Sequence, residues 1–461
     1  MSADSKAPAP GSPWAPYEPH DGAPWDVRRV VHLHRRAGFA ATWKEVQRDL
    51  KDGPRASIDR VLAGRSRLDG VPDNFAEAAG LLAESAGEPE RLKAWWVYRM
   101  LFGPDPLTER LTLLWHNHFA TSVAKVRDPR AMRRQSETFR ELARAPFGKL
   151  LHAAVREPAL LEWLDAPSNR KGHPNENLAR ELMELFTLGI GHYTEADVKE
   201  AARALTGWTL ADGRFREDAD RHDGGEKAVL GRRGKWTGDD LVKILLDQPA
   251  TAGRLAWRLC DQFLGEGAVD AAGLRALADG LRKHDLDVGW GVETVLRSGA
   301  FFAERNLGSR VAGPAEFVVG SARALGMFAP APSTLVLGDW CARLGQDLFA
   351  PPNVGGWKGG RDWLSPQTMI GRANFAAALV AGRLSGRAAP LDALALAKKH
   401  GRAAGLDDVL TFYAELLLGG APSPAWRRRL LADLGPKPAL DAGVCRRLAV
   451  LVLSSPEAQL L

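Results

Sequence analysis

Apolar residues recur at intervals of three and four along most of the chain, which is the spacing of one face of an α-helix. In the stretch 194–208, Val198, Ala201 and Leu205 follow this spacing. In the stretch 251–265, the apolar positions again fall on a single helical face. The pattern predicts a mainly α protein, built as a large, irregular domain of many helices.

Polar residues of the types that cap helices stand where several of these apolar patterns begin. Side-chain oxygens at such positions accept hydrogen bonds from backbone N–H groups that have no partner inside the helix. A proline fits directly after the cap, because its missing N–H would have had no partner there. The clearest pairs are Thr42 with Glu45, Asp105 with Pro106, and Thr194 with Asp197.

Two internal segments depart from the helical pattern. The stretch 208–237 holds short apolar pieces separated by Gly and Asp, which predicts one small β-hairpin excursion. The stretch 350–364 is rich in Gly and Pro and lacks the spacings of phosphate-binding loops. We therefore interpret the second segment as a long surface loop.

The chain divides into three predicted parts. Residues 1–24 are rich in Pro and Ala, which is typical of a disordered tail. Residues 25–385 form the main helical domain, and residues 386–461 form a helical C-terminal extension.

Charge and cysteine content narrow the classes of function only slightly. The chain has 62 basic and 56 acidic residues, and a net charge of +6 over 461 residues gives no clear indication of a nucleic-acid partner. Cys260, Cys341 and Cys445 are far apart, so they form no disulfide or metal framework. The absence of a signal-peptide pattern and of a membrane-length apolar run predicts a cytoplasmic protein by default, with non-standard export left open.

Five stretches together resemble a large bacterial family that is catalogued as domain of unknown function 1800. They are VHLHRRAGF (31–39), LTLLWHNHFATSVAKV (111–126), the long block from LDAPSNRKGHP to RALTGW (164–208), RHDGGEKAVLG (221–231) and PPNVGGWKGGRDWL (351–364). The resemblance covers roughly residues 26–380. It implies little about mechanism, because the family has no established activity. It also implies a partner, since members are often encoded beside a sulfatase-like protein.

The motif WHNHFATS (115–122) places three polar side chains in an apolar run. At 100° per residue, His118 falls on the apolar face, whereas His116 and Asn117 fall on the other side. We therefore expect His118 to face the core and His116 to lie at the rim of a site.

The motif NENLARELMELF (175–186) places Asn177, Glu181 and Glu184 along one flank of an apolar stripe, with Glu181 nearest the core. A buried histidine needs a hydrogen-bond partner, and Glu181 is a candidate partner for His118. The pair would be either a structural hydrogen bond or part of a cavity that binds a metal or performs acid–base chemistry. Glu181 could instead pair with an arginine such as Arg36 or Arg203.

The resulting hypothesis is an enzyme whose cleft lies between the helices at 107–120 and 176–189. The loop 351–361 and the excursion 208–237 would cover this cleft as lids. Hydrolysis of a polar substrate is the reaction class that fits, and a metal remains open as a cofactor. The predicted catalytic residues are His118, Glu181 and His116, and the predicted substrate-binding residues are Asn117, Asn177, Glu184, Arg36 and Trp357.

The alternative hypothesis is a non-catalytic binding or assembly protein, with the co-encoded sulfatase-like protein as a candidate partner. The polar motifs would then serve as hydrogen bonds between helices, and Trp-rich loops would form the interface.

Overall fold

The structure is a computed structural model that describes residues 12–64, 75–384 and 390–461. Twenty-one α-helices and four short β-strands lie within these ranges. This confirms the predicted mainly α class. None of the helices in the described part of the chain has the length and hydropathy that a bilayer crossing requires.

The helices are α1 (Val27–Ala37), α2 (Trp43–Ala63), α3 (Phe75–Ala86), α4 (Pro89–Phe102), α5 (Pro106–His118), α6 (Pro129–Glu141), α7 (Phe147–Ala154), α8 (Pro158–Trp163), α9 (Asn177–Glu181), α10 (Glu195–Ala204), α11 (Gly238–Leu246), α12 (Pro249–Phe263), α13 (Ala271–Lys283), α14 (Val288–Arg297), α15 (Pro314–Ala324), α16 (Thr334–Arg343), α17 (Pro366–Val380), α18 (Ala393–Lys399), α19 (Leu406–Leu418), α20 (Pro424–Ala432) and α21 (Ala442–Ser454). A π-helical turn, Leu182–Thr187, continues α9 directly.

The predicted capping residues begin the helices that they were expected to begin. Thr42 and Glu45 form a reciprocal capping box at α2, and Thr194 and Asp197 form another at α10. Asp105 accepts a hydrogen bond from the backbone N–H of Thr108 at the start of α5.

The excursion 208–237 contains two hairpins, where the sequence predicted one. Strand β1 (Trp208–Ala211) pairs antiparallel with β2 (Arg214–Glu217), and β3 (Lys227–Val229) pairs antiparallel with β4 (Arg232–Gly234). Both central residues of each two-residue turn have positive φ: Asp212 and Gly213 in the first, Leu230 and Gly231 in the second. Such turns match the twist of the strands they join. Asp-Gly is a familiar signal for them and Leu-Gly is not, so the second hairpin escaped prediction.

Two apolar cores hold the helices together. The first buries residues of α1, α2 and α4 together with residues of α15 to α21. The second buries residues of α5 to α14, with Leu33 and Ala37 of α1. The helices after residue 390 are therefore an integral part of the first core, because Val409, Tyr413 and Leu448 are fully buried there.

Residues 12–24, the described part of the predicted disordered tail, pack against the second core. The indole N–H of Trp14 donates to the carbonyl of Gly273 over 2.9 Å. The backbone N–H of Tyr17 donates to the carbonyl of Arg297, and the Tyr17 ring packs on Phe302. The prediction of disorder does not describe these residues, because their aromatic rings gain apolar contacts that a Pro/Ala-rich composition does not reveal.

Candidate functional site

His116 lies inside the protein rather than at the rim of a site, which corrects the prediction. Its side chain is fully buried, and the rings of Trp96, Phe349 and Trp357 lie 5.2–5.8 Å from it. Neither ring nitrogen has a hydrogen-bond partner among the described residues. Burial lowers the pKa of His116 to about 3, so the ring is neutral at physiological pH.

His118 faces the core, as its helical phase predicted, but its partners differ from the expected one. Its Nε2 lies 3.1 Å from the carbonyl oxygen of Phe186, and its Nδ1 accepts a hydrogen bond of 3.2 Å from Nε of Arg258. These roles require the neutral tautomer with the proton on Nε2. Burial, and next the positive charge of Arg258, hold the pKa of His118 well below its ordinary value. Both ring nitrogens are thus occupied by groups other than Glu181.

The π-helical turn explains why His118 finds a backbone carbonyl. Carbonyls at the end of a helix have no partner within the helix and must find one elsewhere. The Phe186 carbonyl is met by His118, and the preceding Leu185 carbonyl accepts a 2.9 Å hydrogen bond from Nε of Arg254. Arg254 and Arg258 are four residues apart on α12. Helix α12 therefore holds the end of the NENLARELMELF segment through two contacts. Arg254 binds the Leu185 carbonyl directly, and Arg258 binds His118, which contacts the Phe186 carbonyl.

The acidic and amide residues predicted from NENLARELMELF lie apart from His118's hydrogen bonds. Glu184 accepts a hydrogen bond from the Tyr193 hydroxyl. Asn177 is exposed, and its Nδ2 donates to Asp165 over 3.3 Å. Burial, and next the charge of Glu184, raise the pKa of Glu181. These residues do not line the cleft that Arg258 borders.

A cleft of about 1330 Å³ lies between the end of α5, α12 with the segment 264–270 that follows it, the segment 305–313 and the loop 357–363. Leu114 and Asn117 line it from α5, and Arg258 and Asp261 line it from α12. One wall of this cleft, α5, is also a wall of the cleft predicted from the sequence. The other predicted wall, at 176–189, is replaced by α12. The Gly-rich loop borders the cleft as expected, whereas the excursion 208–237 does not.

Asn117 joins the Gly-rich loop to the end of α5. Its Oδ1 accepts a 2.7 Å hydrogen bond from the backbone N–H of Trp357, and its Nδ2 donates to the Trp357 carbonyl over 3.3 Å. Gly356 lies against this amide with φ of +77°, and a side chain there would overlap Oδ1 of Asn117. The two predicted substrate-binding residues Asn117 and Trp357 are thus brought together, and their contact fixes the loop in place.

Arg36 has a structural role, which corrects its prediction as a substrate-binding residue. It is fully buried, and its guanidinium donates to the carbonyls of Phe263, Asn306 and Leu461 over 2.8–3.0 Å. Nη2 also donates to the Ser309 hydroxyl. One buried cation thus joins α1 to three other chain segments through its terminal nitrogens, and complete burial keeps it from contact with a ligand.

Arg258 and Asp261 are the polar residues of the cleft that sequence reasoning missed. Nε of Arg258 donates to His118, and its two terminal nitrogens donate to no residue in the described ranges. Burial lowers the pKa of Arg258 to about 10, so the side chain is still a cation at neutral pH. The Asp261 carboxyl accepts no hydrogen bond from the described part of the chain. Burial raises its pKa, while the charges of Arg310 and Arg258 act in the opposite direction.

The floor of the cleft carries an ion cluster centred on Glu316. This carboxylate forms ion pairs with both Arg110 and Arg310 and accepts a 2.6 Å hydrogen bond from the Gly313 N–H. The arginines hold its pKa at about 2 although burial acts to raise it. Glu316 is therefore ionised at neutral pH, and two arginines share one negative charge.

Metal binding was left open by the sequence. Within residues 12–64, 75–384 and 390–461, no group of three or more His, Cys, Asp or Glu side chains is arranged to hold a metal ion. The three cysteines are buried and unpaired with one another.

A family model described as "Protein of unknown function (DUF1800)" matches residues 32–460. The chain belongs to this family. The match includes α18 to α21, beyond the region covered by the resemblance in the sequence, and this agrees with the place of those helices in the first core. No curated protein and no solved structure matches the chain. The DUF1800 family carries no assigned activity, so function has to be argued from the cleft.

Proposed function

We propose that this DUF1800 protein is an enzyme that binds a small polar substrate in the cleft and transfers a proton through Asp261. The observation that carries the proposal is the Asp261 carboxyl itself. It lines the cleft, accepts no hydrogen bond within the described ranges, and has a pKa raised by burial. A carboxyl group of this kind gives or takes a proton more readily near neutral pH than an ordinary surface aspartate does.

The surroundings of Asp261 suit proton transfer. Arg258 lies one helical turn earlier on α12, so both side chains can reach one bound substrate. His118 orients Arg258 without contacting the substrate, because both of its ring nitrogens are already bonded. Hydrolysis is the reaction class that we propose, with Asp261 acting as the general acid or base.

The test compares wild-type protein with Asp261→Asn and with Asp362→Asn as a matched control. Asp362 is a second carboxyl that lines the cleft, but it is exposed. The three proteins are assayed against panels of phosphoesters, carboxylic esters, amides and glycosides between pH 5 and pH 9. Loss of a general acid or base lowers rates by about 10²–10⁴-fold. We expect a loss of this size in Asp261→Asn alone. Equal rates in both variants, or the absence of turnover across all panels, contradicts the proposal.

A second candidate function is that of a binding or assembly protein without catalysis, with a co-encoded sulfatase-like protein as its partner. It is favoured by the use of His118, Asn117 and Glu184 in contacts between segments of the chain. Co-expression of the two proteins followed by light scattering tests it. A complex of defined stoichiometry supports this function, and two separate species contradict it.

A further inference from the structure

The floor of the cleft carries a buried cluster of opposite charges. Glu316 is paired with Arg110 and Arg310, and Arg36 lies close enough for the charges of Arg310 and Arg110 to lower its pKa. Three arginines therefore surround one ionised carboxylate. Arg36 and Arg110 are fully buried, so water screens this charge poorly.

Arg258 adds a cation to the wall above this floor. It forms no ion pair within 4 Å with any carboxylate of the described residues, and Asp261 is the acid whose charge acts on it. Arg258, Arg310 and Asp261 line the same cleft, and the charges of both arginines lower the pKa of the Asp261 carboxyl. The residues that line the cleft carry balanced charges, five basic (Arg258, Arg305, Arg310, Lys358 and Arg361) and five acidic (Asp261, Glu266, Asp270, Glu316 and Asp362). The local feature is Arg258, whose guanidinium forms no ion pair with a described carboxylate.

The geometry of Arg258 leaves its forked end free. The hydrogen bond from Nε to His118 fixes the direction of the guanidinium, and the two terminal nitrogens keep their donor capacity. A planar guanidinium recognises carboxylate or phosphate oxygens through two parallel hydrogen bonds. The rim of the same cleft carries three further cations, Arg305, Lys358 and Arg361, which form no ion pair with a described carboxylate.

We propose that the cleft binds the anionic group of its ligand, a carboxylate or a phosphate, between Arg258 and Arg310. This inference concerns the same cleft as the proposed function. It depends on that function only in treating the bound anion as part of a substrate. Binding of the anion is measurable without turnover. Asp261 lies beside the bound anion and repels it while ionised, so it weakens binding in the absence of a proton.

The experiment is calorimetric titration of the full chain with inorganic phosphate and, separately, with succinate, at pH 7.5 and low ionic strength. We expect saturable binding of one anion per chain to at least one of the two probes. The stronger probe identifies the source of the anionic group as a phosphate or a carboxylate. Absence of saturable binding for both probes overturns the inference.

Two variants and one control assign the binding to this site. Loss of a charge-assisted, bidentate hydrogen bond weakens binding by about 10- to 100-fold, and we expect this of Arg258→Gln. Arg343→Gln is the matched control, because Arg343 lies over Trp340 at 5.4 Å much as Arg258 lies over Trp257 at 5.5 Å. Arg343 does not line the cleft, so its variant should bind as the wild type does.

The second variant, Asp261→Asn, should change anion affinity in the opposite direction to Arg258→Gln. It keeps the inference testable if Arg258→Gln fails to fold. Removal of the neighbouring negative charge should tighten anion binding by about tenfold. A purely structural role for Asp261 would not strengthen binding. Unchanged or weaker binding in Asp261→Asn overturns the inference. Tighter binding together with retained turnover supports it and contradicts the proposed role of Asp261 in catalysis.

Discussion

The two histidines of WHNHFATS allow a direct test of what each ring does, because the same substitution should destabilise the protein at one position and have little effect at the other. His118→Phe removes the hydrogen bond to the Phe186 carbonyl and leaves Nε of Arg258 without its acceptor. A buried polar group without a partner costs about 1–3 kcal/mol. With two groups affected, we expect His118→Phe to lower the free energy of unfolding by about 2–4 kcal/mol.

His116→Phe removes no hydrogen bond to a described residue. Replacing an unpaired polar group with an apolar one stabilises by about 1–3 kcal/mol. The larger ring must fit among Trp96, Phe349 and Trp357, and overpacking costs about 1–3 kcal/mol. The two contributions nearly cancel, so the expected change in the free energy of unfolding is close to zero.

The assay is calorimetric unfolding of both variants beside the wild type at pH 7.5. Unfolding entropy of about 2.1 cal/mol/K per residue gives about 1 kcal/mol/K for a chain of 461 residues. A difference of about 3 kcal/mol between the variants then separates their Tm values by about 3 °C, with His118→Phe the lower. If the two Tm values agree within 1 °C, or if His116→Phe is the less stable, the hydrogen bonds assigned to His118 do not stabilise the fold.

Three further perturbations follow from buried polar groups. Burial lowers the pKa values of three histidines, His32, His116 and His118. Below pH 6.5 these side chains are therefore protonated in the unfolded chain but stay neutral in the folded chain. The free energy of unfolding should therefore decrease by about 1.4 kcal/mol per histidine for each unit by which the pH is lowered below 6.5. Urea unfolding at pH 7, 6 and 5 measures this slope, which below pH 6.5 should be smaller by about 1.4 kcal/mol per pH unit in His116→Phe; an equal slope would contradict the pKa lowering of that ring. Asn117→Ala should release the loop 351–361 and cost about 2 kcal/mol through two lost hydrogen bonds, and faster amide exchange at Trp357 would report it, whereas unchanged exchange would show that the loop is held by other contacts. Arg36→Met removes the hydrogen bonds of a buried cation to three carbonyls and to the Ser309 hydroxyl, so we expect a loss of about 3–5 kcal/mol in urea unfolding, and a loss below 1 kcal/mol would refute the structural role.

Features that depend on neighbours in sequence were predictable. The caps at Thr42, Asp105 and Thr194 follow from side chains that bond to the backbone three residues away. The core-facing position of His118 follows from the phase of a regular helix. The second hairpin was missed because Leu230 adopts positive φ, a conformation that the residue type does not suggest.

The partner of His118 was out of reach for a different reason. A helical projection places side chains around an axis, but it says nothing about which backbone carbonyls lack a partner. The Phe186 carbonyl is available because it lies in the last turn of the helix, which ends at Thr187. Reasoning about side chains alone therefore selected Glu181, the nearest acidic group, where the structure uses a carbonyl and an arginine.

Arg258 and Asp261 were missed although a signal for them was present. They flank the apolar stripe of α12, where Leu255 and Leu259 are buried. Charged residues beside a buried stripe are common, and the sequence does not reveal that a cleft opens along this flank. The cleft is formed by α5, α12 and a loop more than 90 residues beyond α12, and such long-range proximity leaves no local pattern.

The bonds of Arg36 also bear on how the chain assembles during synthesis. Arg36 and Leu461, which it binds, are 425 residues apart. At about 5–20 residues per second, a ribosome needs about 20–85 s to make the intervening chain. During that interval the guanidinium of Arg36 has no Leu461 carbonyl to bind, and the face of α1 that later packs on α19 has no α19 to cover it. The first described helix therefore completes its packing and its hydrogen bonds only after α19 and Leu461 have been made.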